Sequence, residues 1–157
     1  MKIKLLSIGK TTEKYLQDGI KIYTDRLRHY ARFEMTELPE IKAGSNMKPH
    51  ILQKKEAELI LKHINHEDFV ILLDKKGKSF DSLAFSKFIE SKNSSSIKSL
   101  LFVIGGAYGF TKIIHEKADM KIALSNMTFT HQMVRLFFVE QLFRAFTIIH
   151  NHPYHND

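Results

Sequence analysis

The length, composition and charge of the chain exclude several classes of protein. Its 157 residues are 43% hydrophobic and 26% charged, as in one soluble globular domain, and the absence of cysteine excludes disulfides and thiolate metal sites. No apolar run is long enough to span a membrane, the N-terminus lacks the features of a secretory signal, and the net charge is +7. We therefore expect a basic, cytoplasmic protein with no membrane partner.

Predicted strands and helices alternate along the whole chain. The strands, in chain order, cover residues 2–8, 33–39, 69–73, 99–104 and 120–125. The helices that follow them cover residues 12–29, 48–64, 81–91, 111–118 and 131–149, the first with Thr12 as its N-cap. This alternation predicts an α/β fold: a single domain over residues 1–157, with a mainly parallel sheet and helices on both of its faces.

Three segments directly follow predicted strands, where parallel sheets bind their ligands. They cover residues 74–78, 105–109 and 124–131. The glycines of the second segment, FVIGGAYGF, let backbone approach a ligand closely, but their spacing is that of neither a dinucleotide fingerprint nor a P-loop. A tight turn explains one of these glycines and explains two adjacent ones less well. The first segment, Asp-Lys-Lys-Gly-Lys, is on local evidence an ordinary basic turn.

The charge is unevenly distributed between the two halves of the chain. Residues 1–62 hold 13 basic and 8 acidic side chains, whereas residues 63–157 hold 11 and 9. A basic excess favours a polyanionic partner such as a nucleic acid. A basic surface without a partner has the same composition, so charge alone leaves the two interpretations open.

The last predicted helix is apolar on most of its sides. A helix of this kind needs to be covered on most sides, which one sheet face in so small a protein does not provide. We therefore expect it to pack against a second subunit, the alternative being a central helix of a monomer. Its polar stripe includes Glu140 and Arg144, and an arginine on a mostly buried helix indicates a polar cleft.

The segment after this helix, HNHPYHND, contains His150, His152 and His155. Three histidines can bind catalytic zinc, but no nearby carboxylate or cysteine completes a known motif, and Pro153 breaks the helical spacing. A frayed terminus and a functional segment without metal remain as alternatives.

Several motifs in matching order resemble the ribosomal RNA large subunit methyltransferase H family, the smallest type of the SPOUT class. They are MKIKLLSIGK, LLDKKGKSFDS, FVIGGAYGF, LSNMTFTHQMVRLFFVEQLFRAF and NHPYH, and they extend over nearly the whole chain. One departure is Thr130, which precedes His131 where many members have proline. Proline restricts the backbone and threonine does not, so this difference bears on how rigid the cofactor loop is.

The resemblance implies a fold, a cofactor and a substrate. The expected fold is SPOUT-like, with a trefoil knot in the cofactor-binding part, about residues 69–157. The expected cofactor is S-adenosyl-L-methionine, and the motifs assign its contacts to Leu73, Gly105, Leu124, Ser125, Asn126, Met127, Thr128 and Phe129. The implied reaction is methylation of N3 of a pseudouridine in 23S ribosomal RNA, by a homodimer acting on the assembled 70S ribosome.

The expected catalytic residues are Arg144, Tyr154 and His155, with His131 and Arg135 as further contributors on the RNA side. We expect the C-terminal segment of one subunit to complete the cofactor pocket of the other, and we expect no metal. The alternative function is a non-enzymatic ribosome-binding or RNA-binding factor with the same knotted fold. A nucleotide-dependent oxidoreductase is disfavoured because the dinucleotide fingerprint is absent.

Overall fold

The computed structural model describes residues 1–42, 44 and 46–155, and its elements alternate as the sequence predicts. The strands are β1 (Lys2–Ile8), β2 (Arg32–Leu38), β3 (Asp68–Ser79), β4 (Ser99–Ile104) and β5 (Met120–Ala123). The helices are α1 (Lys14–Leu27), α2 (Pro49–Leu61), α3 (Ser82–Asn93), α4 (Lys112–Lys117) and α5 (Met133–Ile149). Residues 156 and 157 of the predicted domain lie outside the described residues.

The five strands form one sheet in the order β2-β1-β4-β3-β5, with every neighbouring pair parallel. The predicted parallel α/β sheet is thereby confirmed. Because the strands are parallel, the carboxyl ends of β3, β4 and β5 meet at one edge of the sheet. Segments 105–109 and 124–131 follow the ends of β4 and β5, as predicted, whereas segment 74–78 lies within β3.

Helices cover both faces of the sheet, as predicted. Alternate residues of β3 and β4 belong to two separate apolar clusters, since successive strand side chains point to opposite faces. The cluster on one face includes α1, α3 and α5 and contains Ile3, Leu5, Ile71, Phe102, Phe138 and Leu142. The cluster on the other face includes α2 and α4 and contains Leu6, Ala57, Ile60, Val70, Leu72, Val103 and Ile114.

Strand β3 differs from its prediction because it continues beyond Leu73 to Ser79. Both Leu73 and Lys78 pair with Ile122 of β5, so residues 74–77 bulge out of the ladder before pairing resumes. A Cβ atom on Gly77 would lie only 2.5 Å from the carbonyl carbon of Lys121, so this close passage requires glycine. The predicted basic turn is thus a strand irregularity that re-enters the sheet.

The N-cap of α1 is also different from its prediction. Glu13, not Thr12, is the N-cap, and its side chain makes no capping hydrogen bond. The backbone N–H of Thr12 donates instead to Oε1 of Gln132, at 2.9 Å. A contact across the fold therefore uses the residue that local sequence assigns to the cap.

In the part of the chain that the structure describes, no helix combines the length and apolar character needed to cross a bilayer. The trefoil knot over about residues 69–157 stays a prediction, because strand order and pairing do not by themselves define how a chain is threaded.

Candidate active site

A cavity of about 720 Å³ opens at the carboxyl ends of β3 and β4, within the size range of small-molecule sites. Its walls come from the end of β3, the glycine segment after β4 and the loop before α5. These walls include Leu73, Asp74, Lys75, Lys76, Gly105, Gly106, Tyr108, His115, Thr128, Phe129, Thr130, His131 and Val134. The three strand-end segments thus form one cavity.

The predicted cofactor-binding residues lie around this cavity, with one exception. Leu73 and Gly105 line it, and an adjoining cavity of about 150 Å³ shares Leu73, Thr128 and Phe129. Leu124, Ser125 and Met127 line the adjoining cavity. Asn126 is exposed and lines neither cavity.

The glycine segment is closely packed by neighbouring side chains. A Cβ atom on Gly105 would lie 3.0 Å from the ring of Phe110, and one on Gly106 would overlap the carboxyl group of Glu56. Gly109 has a φ of 74°, which other residues rarely adopt. The two adjacent glycines therefore have a packing reason, and a ligand is not needed to explain them.

The residues of the cavity fit a cofactor of the size and polarity of S-adenosylmethionine. The wall offers backbone at Gly105 and Gly106 without side chains in the way. Beside it, Oγ1 of Thr111, Nδ1 of His115 and Oε2 of Glu56 are buried polar atoms without a hydrogen-bond partner among the described residues. Buried polar atoms of this kind are rare and mark places where a polar ligand or water binds.

The first turn of α5 is fixed to the opposite end of the chain by Arg135. Its Nη1 donates to Oγ1 of Thr11 at 2.8 Å and to Oε1 of Glu37 at 3.0 Å, and its Nη2 donates to the carbonyl of Ile8 at 2.7 Å. The side chain is 0% exposed. Arg135 therefore does not contact RNA, contrary to its suggested contribution, and instead holds the helix that carries the cavity wall.

Thr130 helps to begin α5. Its Oγ1 accepts a hydrogen bond from the N–H of Met133 at 3.2 Å, and its carbonyl accepts one from Val134 at 3.1 Å. A proline at this position would supply no side-chain acceptor. Thr130 thus provides a hydrogen-bond acceptor for the N–H of Met133, which has no partner within the helix.

The predicted catalytic residues meet near the other end of α5. Oε1 of Glu140 accepts hydrogen bonds from Arg144 Nη2 at 2.5 Å and from the Tyr154 hydroxyl at 3.0 Å. The Arg144 guanidinium lies over the Tyr154 ring, 4.8 Å from its centroid. Nδ1 of His155 lies 3.4 Å from Arg144 Nη1. The structure therefore brings together Arg144, Tyr154 and His155, the first two on the Glu140 carboxylate and the third beside Arg144.

The surroundings of this group set the protonation of two of its members. The hydrogen bond to Glu140 raises the pKa of the Arg144 guanidinium above its usual value. Burial raises the pKa of the Tyr154 hydroxyl well above its usual value, and hydrogen bonds to Tyr23 and Glu140 raise it further. Arg144 is thus a persistent cation and Tyr154 a persistent hydrogen-bond donor, which makes this tyrosine unsuited to act as a base.

The segment after α5 folds back onto the subunit. Asn151 has a φ of 54°, in the left-handed region that often ends helices. The Tyr30 hydroxyl and Nδ1 of His152 lie 2.6 Å apart, and Nδ1 of His150 is 2.9 Å from the Phe146 carbonyl. The histidines of this segment thus have separate partners. Within the described ranges, no group of three or more histidine, cysteine or acidic side chains could hold a metal ion.

The cavity and the Arg144 group are separate within one chain. Arg144 follows Val134 by ten residues along α5. This spacing corresponds to about 15 Å at ~1.5 Å per residue. The cavity therefore contains none of the predicted catalytic residues of its own chain.

Sequence reasoning did not identify two members of these sites. Tyr23 belongs to no recognisable sequence motif. It comes close to Tyr154 only in the folded protein, where the two hydroxyl oxygens are 3.2 Å apart. Glu56 occupies an ordinary helical position, and no signal in the sequence shows that it is buried behind Gly106. The sequence shows Glu140 and Arg144 as an i,i+4 pair. It does not show that both side chains are largely buried in the fold, which distinguishes this pair from an ordinary surface pair.

Apolar side chains are exposed on α5 and on helices α1 and α3, which pack against it. Phe137 of α5 is exposed and packs against Phe129, with 4.7 Å between ring centroids. Tyr15 of α1 is exposed beside it, with its hydroxyl 3.8 Å from Met133 Sδ. Leu83 of α3 is also exposed. Grouped exposed apolar side chains are typical of protein interfaces.

Comparison with known proteins agrees with this geometry. A family model described as "Predicted SPOUT methyltransferase" matches residues 1–155. Proteins named "Ribosomal RNA large subunit methyltransferase H" are similar over their full length. The one from Christiangramia forsetii is 53% identical over 99% of both chains, and the one from Flavobacterium johnsoniae is 51% identical over the same share. The one from Parabacteroides distasonis is 48% identical over 100% of both chains. The resemblance is confirmed: the chain belongs to the SPOUT methyltransferase family and is a methyltransferase.

Proposed function

We propose that the protein transfers a methyl group from S-adenosylmethionine to N3 of a pseudouridine in 23S ribosomal RNA. It would act as a cytoplasmic homodimer on the assembled 70S ribosome. The relatives' name states a large-subunit ribosomal RNA as the substrate of those proteins, and full-length similarity supports the same substrate class here. The net charge of +7 is suited to an RNA partner.

The observation that carries the proposal is the division of the site between the two ends of α5. The cavity lies at its first turn, while Arg144 and Tyr154 lie about 15 Å away at ~1.5 Å per residue. If two α5 helices pack antiparallel about a two-fold axis near the middle of the helix, Arg144 of the partner subunit would lie beside the cavity. Exposed Tyr15, Leu83 and Phe137 supply apolar surface for that contact.

The chemistry requires alignment and control of charge. S-Adenosylmethionine supplies a methyl group on a sulfonium, which is electrophilic without further activation, so the chain's own residues mainly align the reactants. N3 of pseudouridine gives up its proton to water, and the anionic ring then attacks the methyl carbon while the sulfonium leaves as a neutral thioether. The Arg144 cation stabilises this anionic ring, and the Tyr154 hydroxyl donates to Glu140 and so holds the Glu140–Arg144 pair in position. His155 packs against Arg144 and completes this side of the site.

The first test is transfer of labelled methyl to whole 70S ribosomes, to separated subunits and to naked ribosomal RNA. The proposal predicts transfer to 70S ribosomes and a modified pseudouridine in 23S RNA. Ribosomes from cells that lack the pseudouridine synthase activity for that site serve as the control substrate and should accept no methyl group. Binding to ribosomes without methyl transfer would favour the alternative, a non-enzymatic ribosome-binding factor.

A second test uses mixed dimers to examine the shared site. Arg144→Ala removes the group at the end of α5, and Leu73→Arg places a long cation in the cavity. Each homodimer should be inactive, whereas a dimer with one subunit of each kind keeps one complete site and should regain about half of the activity per dimer. If mixed dimers form and remain inactive, the two ends of α5 do not share a site. Removal of residues 152–157 should abolish transfer while cofactor binding persists.

A further inference from the structure

A buried carboxyl group lies directly behind the glycine segment of the cavity. Glu56 of α2 is 6% exposed, and its Oε2 has no hydrogen-bond partner among the described residues. A Cβ atom on Gly106 would lie 2.5 Å from Oε2 and 2.6 Å from Cδ of Glu56. Since Gly106 also lines the cavity, a single layer of backbone separates the carboxyl group from the ligand space.

The position is unfavourable for a carboxylate as long as no positive charge is near. Burial raises the pKa of Glu56, and the negative charge of Glu40 raises it further. Within the described residues, Glu56 takes part in no ion pair and no hydrogen bond through Oε2. An acidic group with these properties beside a cavity indicates a role toward a ligand.

The proposed cofactor and its product differ in charge at one atom. S-Adenosylmethionine has a sulfonium, and transfer of its methyl group leaves an uncharged thioether in S-adenosylhomocysteine. A carboxylate across one peptide layer attracts the sulfonium and does not attract the thioether. The remaining parts of the two molecules are the same, so other contacts in the cavity contribute similarly to both.

We propose that Glu56 makes the cavity selective for the cationic cofactor over its uncharged product. This inference rests on the proposed function, because it takes S-adenosylmethionine as the ligand of the cavity. Glu56 acts through its charge behind Gly106 and does not touch the ligand, so it is a specificity-determining residue and not a catalytic one. The selectivity favours release of product after each transfer.

Calorimetric titration with both ligands tests this role in the intact protein. The variant Glu56→Gln keeps the shape of the side chain and removes its charge, and Glu58→Gln makes the same change at an exposed position of the same helix. Glu56→Gln should weaken S-adenosylmethionine binding about tenfold and change S-adenosylhomocysteine binding less than about twofold. Glu58→Gln should change neither affinity.

The outcomes separate this inference from the proposed function. If the wild-type protein binds neither ligand, both fail. If it binds both, and Glu56→Gln weakens both equally or neither, the cofactor assignment stands and the selectivity role of Glu56 is wrong. Thermal unfolding of each variant is measured first, and Glu56→Met replaces the glutamine variant if that one does not fold. Failure of both neutral variants to fold would show that the fold itself needs the charge, which would also overturn the proposal.

Discussion

The two ends of α5 each contain an arginine paired with a glutamate, and the two pairs have different surroundings. Arg135, in the first turn, is 0% exposed and is bonded to Glu37, Thr11 and the Ile8 carbonyl. Arg144, in the third turn beyond it, is 25% exposed and is bonded to Glu140. The same residue type on one helix thus occurs once within the core and once at a partly exposed position.

The partners of each arginine decide whether it has a structural or a functional role. The hydrogen bonds of Arg135 tie α5 to β1, β2 and the loop after β1, and none of these partners lines the cavity beside Gly105. Arg144 packs on the Tyr154 ring and lies against His155. Its side chain nevertheless remains 25% exposed. The first arginine therefore stabilises the fold, and the second is the one that we propose acts on a substrate.

Replacement of Arg144 by alanine should produce the largest effect on activity. Loss of a cation that stabilises charge in the transition state lowers the rate of methyl transfer about 10²- to 10³-fold. The free energy of unfolding should fall by less than about 1 kcal/mol, because the Glu140 pair remains partly exposed to water. Single-turnover transfer to 70S ribosomes and urea unfolding measure the two quantities. A large loss of stability with little loss of rate would mean that Arg144, like Arg135, has a structural role.

Replacement of Arg135 by methionine should instead act mainly on stability. It leaves the buried Ile8 carbonyl without its donor and removes the cation beside Glu37, which is 29% exposed and keeps Thr11 as a donor. The unsatisfied carbonyl and the lost pair together should cost about 2 kcal/mol. Urea unfolding measures this change, with Arg32→Met on the exposed side of β2 as the matched control. A change below about 1 kcal/mol would mean that the buried network contributes little.

Replacement of Tyr154 by phenylalanine should have a smaller effect, since it removes only the hydroxyl. We expect methyl transfer to slow about tenfold and the free energy of unfolding to fall by about 1 kcal/mol, through loss of the bonds to Glu140 and Tyr23. Because the pKa of this hydroxyl is raised above 10.0, its contribution is complete below that pH and is lost only as the pH rises further. The stability difference should therefore be constant between about pH 6 and pH 9.

Charge reversal at exposed basic residues of the N-terminal half of the chain should have the smallest effect on the protein itself. Lys14 and Arg28 form surface ion pairs with Asp18 and Asp25, and such pairs contribute little. Changing Lys10, Lys14 and Arg28 to glutamate should shift the free energy of unfolding by less than about 1 kcal/mol. Association with ribosomes should weaken severalfold and become less dependent on salt, whereas cofactor affinity stays the same. Unchanged association, measured by co-sedimentation, would assign docking to other residues.

The sequence is sufficient to predict the elements because each is encoded locally. Alternating apolar runs and helical spacing give the five strands and five helices to within a few residues. The end of β3 is the exception, since residues 74–77 are polar and resemble a turn. Their return to the sheet depends on pairing of Lys78 with Ile122, more than forty residues along the chain, which no local pattern encodes.

The candidate site could be predicted in part. Leu73, Gly105 and Thr128 lie at or after the predicted ends of buried strands. The rule for parallel sheets together with the family motifs is enough to place them at the cavity. The two arginines of α5 could not be distinguished, because both occur at helical positions among apolar residues. Burial is a property of the whole fold, and only contacts with β1 and β2 identify Arg135 as a core residue.

By itself, the sequence determined the α/β class, the order of the elements, the family and the segments that form the cavity, because these depend on local periodicity and on motifs. Only the tertiary structure decided which charges are buried and with which partners. Glu56 lies behind Gly106, Arg135 lies inside the core, and Arg144 meets Tyr154 about 15 Å from the cavity of its own chain. Each of these depends on side chains that are distant in sequence, and the energy of a charge is set by the dielectric and the partners that they provide.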